Sequence, residues 1–292
     1  LYYYLMAGWT GLLETLRLID MSLWTFSSSG WFIPNFPRAV LLMKLPWLLL
    51  DISLWALIAS LLKPTQRNHF TWIYLLFPSQ IWVSFVMGQN DILPALSTVL
   101  ALWCANRALR QDKLVWSFCA MLSLGIGGGV KSYPLLLVLP TALVLGQGII
   151  QILALIVAGT LPFAVAVLPF LKTAAFVEGA LRNHEGMALL NMTFGTGAQT
   201  APVFLVLYSL LLALLAFIAF PKTLRTLRLV YLSVLMLLFI GSTWPFNWLV
   251  WLTPLLAWTI VKDQVADVLY FMIGIYFVMY ITVWGKPIGG YS

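Results

Sequence analysis

The sequence predicts an all-α integral membrane protein: a polytopic bundle of about ten transmembrane helices with an amphipathic interfacial helix near the N-terminus. Two observations carry this. Of 292 residues, 62% are hydrophobic and only 9% charged, against about 45–50% and about 25% in an ordinary soluble domain. The apolar residues also come in long runs, sufficient to cross a hydrocarbon core of about 30 Å as helices. A net charge of +7 does not point to nucleic acid, because Lys and Arg fall in short clusters between the apolar runs and form no continuous stripe. The whole chain, 1–292, reads as a single transmembrane domain. It comprises an outer-face interfacial segment at 1–41, helical spans within 42–171 and 202–284, and an outer loop at 172–201.

The chain begins at Leu1 inside an aromatic run, without an initiator Met, a basic leader or a small-residue cleavage site, so a preceding segment is expected. From Tyr2 to Phe26, Glu14, Arg17 and Asp20 recur every third residue, which places them along one helical face. Leu12, Leu13, Leu16, Ile19 and Leu23 supply an apolar face, as in a helix lying in the membrane interface. The Gly, Ser and Pro cluster SSSGWFIPNFPR then turns the chain into the first span. Spans are expected at 42–62, 70–87, 91–109, 114–130, 133–146, 149–171, 202–220, 229–243, 247–261 and 266–284, with the pair around Lys131 readable as two short helices meeting at a break. Lys63 and Arg67, then Arg107, Arg110 and Lys113, then Lys222, Arg225 and Arg228, and finally Lys262 fall on one side, which the positive-inside rule reads as cytoplasmic. Cys104 and Cys119 lack metal-ligand or redox spacing and read as small packing residues near a cytoplasmic helix end.

Ionisable and polar groups inside or beside the spans are the candidate site residues, since burying one in lipid is costly unless it is paired or hydrated. Lys44 and Asp51 lie two turns apart on one helix face, so either a functional pair or a structural polar seam, with Asp51 meeting a partner on another helix, accounts for them. Gln89, Asn90 and Asp91 crowd a short outer hairpin. Asp91 suits the cap of the next helix, while three polar groups together also suit sugar hydroxyls or proton transfer. LGIGGGVKSYPLLLVLP is a glycine-rich break followed by Lys131, Ser132, Tyr133 and Pro134; it lacks Walker spacing. A cation beside such a break suits a phosphate oxygen, or simply snorkels to the interface. GSTWPFNWLVWLTPLL brings Trp244, Pro245, Phe246, Asn247 and Trp248 to the outer surface, as an interfacial belt or as an aromatic wall with an amide for a sugar ring. Glu178, Arg182, His184 and Glu185 in the outer loop are too few and too loosely spaced for a metal site; NMT at Asn191 has the form of a glycosylation sequon.

Taken in order, these segments resemble the polyprenyl- or dolichyl-phosphate-sugar-dependent glycosyltransferases of the membrane-embedded C-type (GT-C) fold. The similarity is nearest to the mannosyltransferase branch that includes GPI mannosyltransferase I and its bacterial relatives. MKLPWLLLDISLWALI, with Lys44 and Asp51, resembles the start of the family's early span. LFPSQIWVSFVMGQNDILPAL resembles the following turn and polar hairpin, GGGVKSYPLLLVLP the Lys-x-Tyr-Pro segment, and PFNWLVWLTPLL the late aromatic segment. The family's catalytic Asp precedes a Tyr-Pro-Pro-like stretch that LYYYLMAGWTGLL looks to continue, so the base is expected upstream of Leu1 and is not assigned to Asp20 or Glu14.

The resemblance implies a hexosyltransferase, a mannosyltransferase among them, moving sugar from a lipid-linked donor by a single inverting displacement. The active side is then periplasmic or luminal, in a bacterial or archaeal plasma membrane or the endoplasmic reticulum. Lys131 and then Arg38 are the candidate cations for the departing phosphate. Gln89, Asn90, Asp91, Tyr133, Trp244 and Asn247 line the sugar pocket, with Asp91 the catalytic candidate within this chain. The co-substrate is the lipid-linked sugar, with no cofactor or metal assigned. The partners are membrane lipid, a glycan, lipid or protein acceptor and an accessory membrane subunit. The competing class is a multi-pass transporter or lipid-linked-sugar flippase, which predicts charge near the bilayer centre and an inverted repeat. No repeat is visible, and most polar clusters sit at one surface. A noncatalytic membrane subunit is the third class.

Overall fold

The computed structural model describes residues 2–18, 36–77, 80–81, 91–181, 193–194, 201–218, 220–241 and 248–263. These residues are predominantly helical, in the order α1 (Tyr2–Thr15), α2 (Phe36–Ser60), α3 (Pro64–Leu76), α4 (Ile92–Gln111) and α5 (Leu114–Gly128). A 3-10 turn over Tyr133–Leu137 then leads into α6 (Val138–Leu145), followed by α7 (Ile149–Val167) and the short α8 (Ala174–Phe176). The series closes with α9 (Val203–Phe217), α10 (Leu224–Gly241) and α11 (Leu249–Asp263). Within the expected outer loop, Ala174–Phe176 and a π-turn at Val177–Leu181 are helical, and Thr193–Phe194 pairs antiparallel with Ala201–Pro202.

Among the described residues, three helices are long and apolar enough to cross a membrane, Leu41–Ser60, Ile92–Gln111 and Ile149–Phe170. Seven further spans were expected. Leu114–Gly128, Tyr133–Leu145, Val203–Phe217 and Leu249–Lys262 are apolar but shorter, and fifteen residues of α-helix rise only about 22 Å. Their shortness has local causes. α5 stops at the glycine run, where Gly129 N–H reaches back to Gly125 O and Lys131 N–H to Gly127 O. α6 follows a 3-10 turn begun by the Tyr133–Pro134 pair. The expected span at 70–87 begins within α3 and runs beyond the described residues, and that at 266–284 lies wholly outside them.

α4 is the central helix: 67% of its apolar stretch is buried, against 22% for that of α2 and 17% for that of the Ile149–Phe170 helix. It packs on α2, α5, α10 and α11, and α5 in turn packs on α7. Glycine makes the α5–α7 crossing close. A Cβ at Gly125 would strike Gly159 O and lie 2.7 Å from Pro162 Cδ, and one at Gly159 would lie 2.9 Å from Met121 Cε. The outward faces are apolar. Ile150, Leu153, Val157, Leu161, Val165 and Leu168 form an exposed stripe along one side of α7, and Leu41, Leu45, Leu49 and Ile52 do the same on α2. Left in water, the α7 stripe alone would forgo on the order of 10 kcal/mol, as much as the whole stability of a typical domain. Such a surface associates with a membrane.

α1 differs from the expected helix. It ends at Thr15, and Arg17 adopts a left-handed conformation with φ 56°. Leu18 N–H reaches Leu13 O and Arg17 N–H reaches Glu14 O, both at 2.9 Å, the paired bonds of a Schellman cap. Leu18 also packs on Leu13, the hydrophobic contact that accompanies such a cap. Arg17 is therefore off the helix and does not continue the face that Glu14 begins; Asp20 lies outside the described residues. Leu13 is buried against Trp9, Leu42 and Met43, whereas Leu12 and Leu16 are exposed. Trp9 Nε1 donates to Leu42 O at 3.0 Å, tying α1 to α2. α2 begins at Phe36 and carries Arg38 in its first turn, and its membrane-length apolar stretch begins at Leu41.

Candidate functional site

α4, α5 and α11 meet at the end of the bundle where α4 begins. Asp91 precedes Ile92 and is 1% exposed. The capping role expected for it is not taken: its side chain makes no cap hydrogen bond. Its Oδ1 instead accepts from Trp251 Nε1 at 3.0 Å and lies 3.6 Å from Lys131 Nζ. The latter separation is an ion pair longer than a direct hydrogen bond. The Lys131 side chain is 34% exposed, so it spans from the buried carboxylate to the surface.

Beneath the charges lies an aromatic stack. Trp251 lies between Tyr133 and Trp248, stacked at 4.2 Å and 4.6 Å between ring centroids. Thr98 Oγ1 donates to Pro94 O at 2.9 Å and faces the Tyr133 hydroxyl at 3.3 Å. The break after α5 makes this possible: it swings Lys131 toward Asp91 and starts the 3-10 turn that drives Tyr133 into the core, where it is 3% exposed.

Of the residues singled out in the sequence, Asp91, Lys131 and Tyr133 come together, with Trp248 at the edge of the same stack. Gln89, Asn90, Trp244 and Asn247 lie outside the described residues. Lys44 and Asp51 both stand on α2. Asp51, 3% exposed, accepts from the Tyr74 hydroxyl and, at 2.6 Å, from Gln80 Nε2. That is a polar seam between α2 and the α3 region. Sequence reasoning missed Trp251 and Thr98. Trp251 is three residues after Trp248 and Thr98 seven after Asp91, spacings that return to one helix face.

The opposite end of the bundle gathers the cations. Gln66 Nε2 bonds Val261 O, Trp103 Nε1 bonds Ser60 Oγ, Gln147 Nε2 bonds Asp112 Oδ1, and Lys222 Nζ bonds Gly146 O. A cavity of about 870 Å³ lies there too, between Asp112, Lys113, Phe118, Gln147, Ile150 and Lys222. It is a full length of α4 away from Asp91. Among the described residues no group of three or more His, Cys, Asp or Glu is placed to hold a metal. No protein-family model, curated protein or solved structure matches the chain.

Proposed function

We propose that this chain is the membrane-embedded body of a hexosyltransferase that moves a sugar from a polyprenyl-phosphate donor to an acceptor on the periplasmic or luminal side, within a bundle of about ten spans. The observation that carries the reading is the convergence of Asp91, Lys131, Tyr133 and Trp251 at the bundle end opposite the cation clusters. Three separate segments, each quoted above for the resemblance, supply them.

In this reading the residues divide the work by their chemistry. Lys131 stabilises the phosphate that departs as the acceptor oxygen attacks the anomeric carbon, since a preplaced cation lowers the energy of developing negative charge. Asp91 positions that ammonium. Its Oδ1 receives the indole N–H and faces the cation, which makes it a good anchor. The Tyr133–Trp251–Trp248 stack gives the pocket a rigid apolar wall, suited to a sugar face or the first isoprene units of the donor.

The test is transfer of labelled sugar from polyprenyl phosphate by membranes containing the full-length protein, with Lys131→Ala and Lys131→Arg beside it. The expected result is a loss of about 100-fold or more for Lys131→Ala, with partial recovery in Lys131→Arg. Unchanged transfer in Lys131→Ala removes Lys131 from the site. Movement of sugar or lipid across the membrane without covalent transfer replaces the enzyme reading with that of a transporter.

A further inference from the structure

At the cation-rich end, the last turns of α4 carry a second built feature, independent of the Asp91 cluster. The Arg107 guanidinium lies 4.0 Å from the Trp103 ring centroid and 4.8 Å from that of Trp116. The two indoles stand edge to face at 85°. Each indole is itself pinned: Trp103 Nε1 donates to Ser60 Oγ at 3.2 Å, and Trp116 Nε1 to Gln111 Oε1 at 3.1 Å. Arg107 is thus held over both indoles, and among the described residues its N–H donors make no hydrogen bond.

Arg107 borders a cavity of about 370 Å³, lined also by Ser60, Trp103, Asn106, Arg110 and Gln111. The lining contains no acid. Asp112, the nearest in sequence, is engaged by Gln147 instead. Arg110 is one turn on from Arg107, so the two guanidiniums share a helix face. Among the described residues neither has a carboxylate or hydrogen-bond partner. Asn106 is 9% exposed, and its amide also has no hydrogen-bond partner among the described residues. Two cations and an amide with its hydrogen-bonding groups available, around an acid-free cavity, suit an anion.

Its position identifies the source. The cavity sits where two helices long enough to cross a membrane end together, at Ser60 and Gln111, with Leu61 in its wall and Leu114 and Val115 exposed beside it. A ligand there has its charge at the level of the lipid headgroups and its apolar part against the bilayer. We infer that Arg107, Arg110 and Asn106 form a site for the phosphate of an anionic membrane lipid, with the paired indoles presenting Arg107 for bidentate contact.

The experiment is native mass spectrometry of the full-length protein released from nanodiscs of equal phosphatidic acid and phosphatidylcholine. Wild-type protein is expected to keep phosphatidic acid with about tenfold preference, the value of one or two charge-assisted hydrogen bonds. In Arg107→Gln/Arg110→Gln that preference disappears. Arg107→Lys retains the charge but not the planar fork, so it should keep its elution profile and lose most of the preference. A merely structural clamp predicts the reverse for Arg107→Lys: altered elution and unaltered lipid selectivity. Equal retention of both lipids by wild type overturns the site, and release of bound phosphatidic acid by millimolar inorganic phosphate overturns the lipid assignment in favour of a free anion.

Discussion

At the residue scale, the buried carboxylates Asp51 and Asp91 are distinguished by their partners. Asp51 faces neutral donors, Tyr74 and Gln80, and its surroundings are closed. Replacing it with Ala strands both donors in the core, which costs about 2–4 kcal/mol. Asp51→Asn keeps an acceptor and should cost less. Thermal unfolding in detergent checks the order, and equal midpoints for Asp51→Ala and wild type would mean the seam contributes nothing. Asp91 faces a cation with one-third of its side chain exposed, an arrangement that couples the core to the surface. Trp251→Phe separates the two contributions of the indole: it keeps a ring to stack on Tyr133 and Trp248 and removes the N–H that Asp91 accepts. The expected outcome is a stability loss of about 1 kcal/mol with a fall in sugar transfer of about tenfold, because Asp91 then loses the N–H that orients it beside Lys131. Unchanged transfer beside a measurable stability loss would assign Trp251 to packing alone.

At the element scale, close approach of helices depends on where side chains are missing. The glycine-rich break before Lys131 was legible in the sequence, as were the lengths of α4 and α7, because both are local properties of composition and run length. What each glycine admits was not legible, since it depends on which helix arrives. Gly127 faces Ser97 of α4, Gly128 faces Leu135, and Gly125 faces Gly159 and Pro162 of α7. Gly125→Val should therefore force α5 and α7 apart, at about 1–3 kcal/mol for overpacking. Gly148→Ala, where nothing lies within 4 Å of the added carbon, is the control with no steric cost. Comparing their unfolding midpoints tests the crossing, and equal shifts would remove it. α1 teaches the complementary point. A threefold charge spacing fits a helix, yet the chain closes it early with a Schellman cap through Arg17, a residue type that seldom adopts the left-handed region. The sequence there has no glycine to announce the stop.

At the scale of the whole molecule, the polar groups segregate to two ends, and apolar stripes wrap the surface between them. The chain order enforces this. α4 runs from Asp91 to Gln111, α5 returns from Leu114 to Gly128, the next pair repeats the excursion through Gly146 and Gln147, and α10 returns from Leu224. Successive reversals thus carry Lys113, Gln147 and Lys222 to one end and Lys131, Phe170 and Gly241 to the other. Alternation of loop charge was readable from the sequence because it is a one-dimensional pattern. That these helices connect the two ends was also expected; how short they are was not, since α5 stops at the glycine run after fifteen residues. A membrane thinned locally, or a short helix shielded by α4 and its neighbours, reconciles a rise of about 22 Å with the two-ended arrangement. The arrangement has a direct consequence for access. In a background with Cys104 and Cys119 replaced by Ala, single cysteines at Lys113→Cys and Ser132→Cys should react with an impermeant maleimide from opposite faces of sealed membrane vesicles. Lys222→Cys should follow Lys113→Cys. Labelling of positions 113 and 132 from the same face would mean that α5 folds back within one leaflet, and the Asp91 cluster would then share a compartment with the arginine cavity instead of facing away from it.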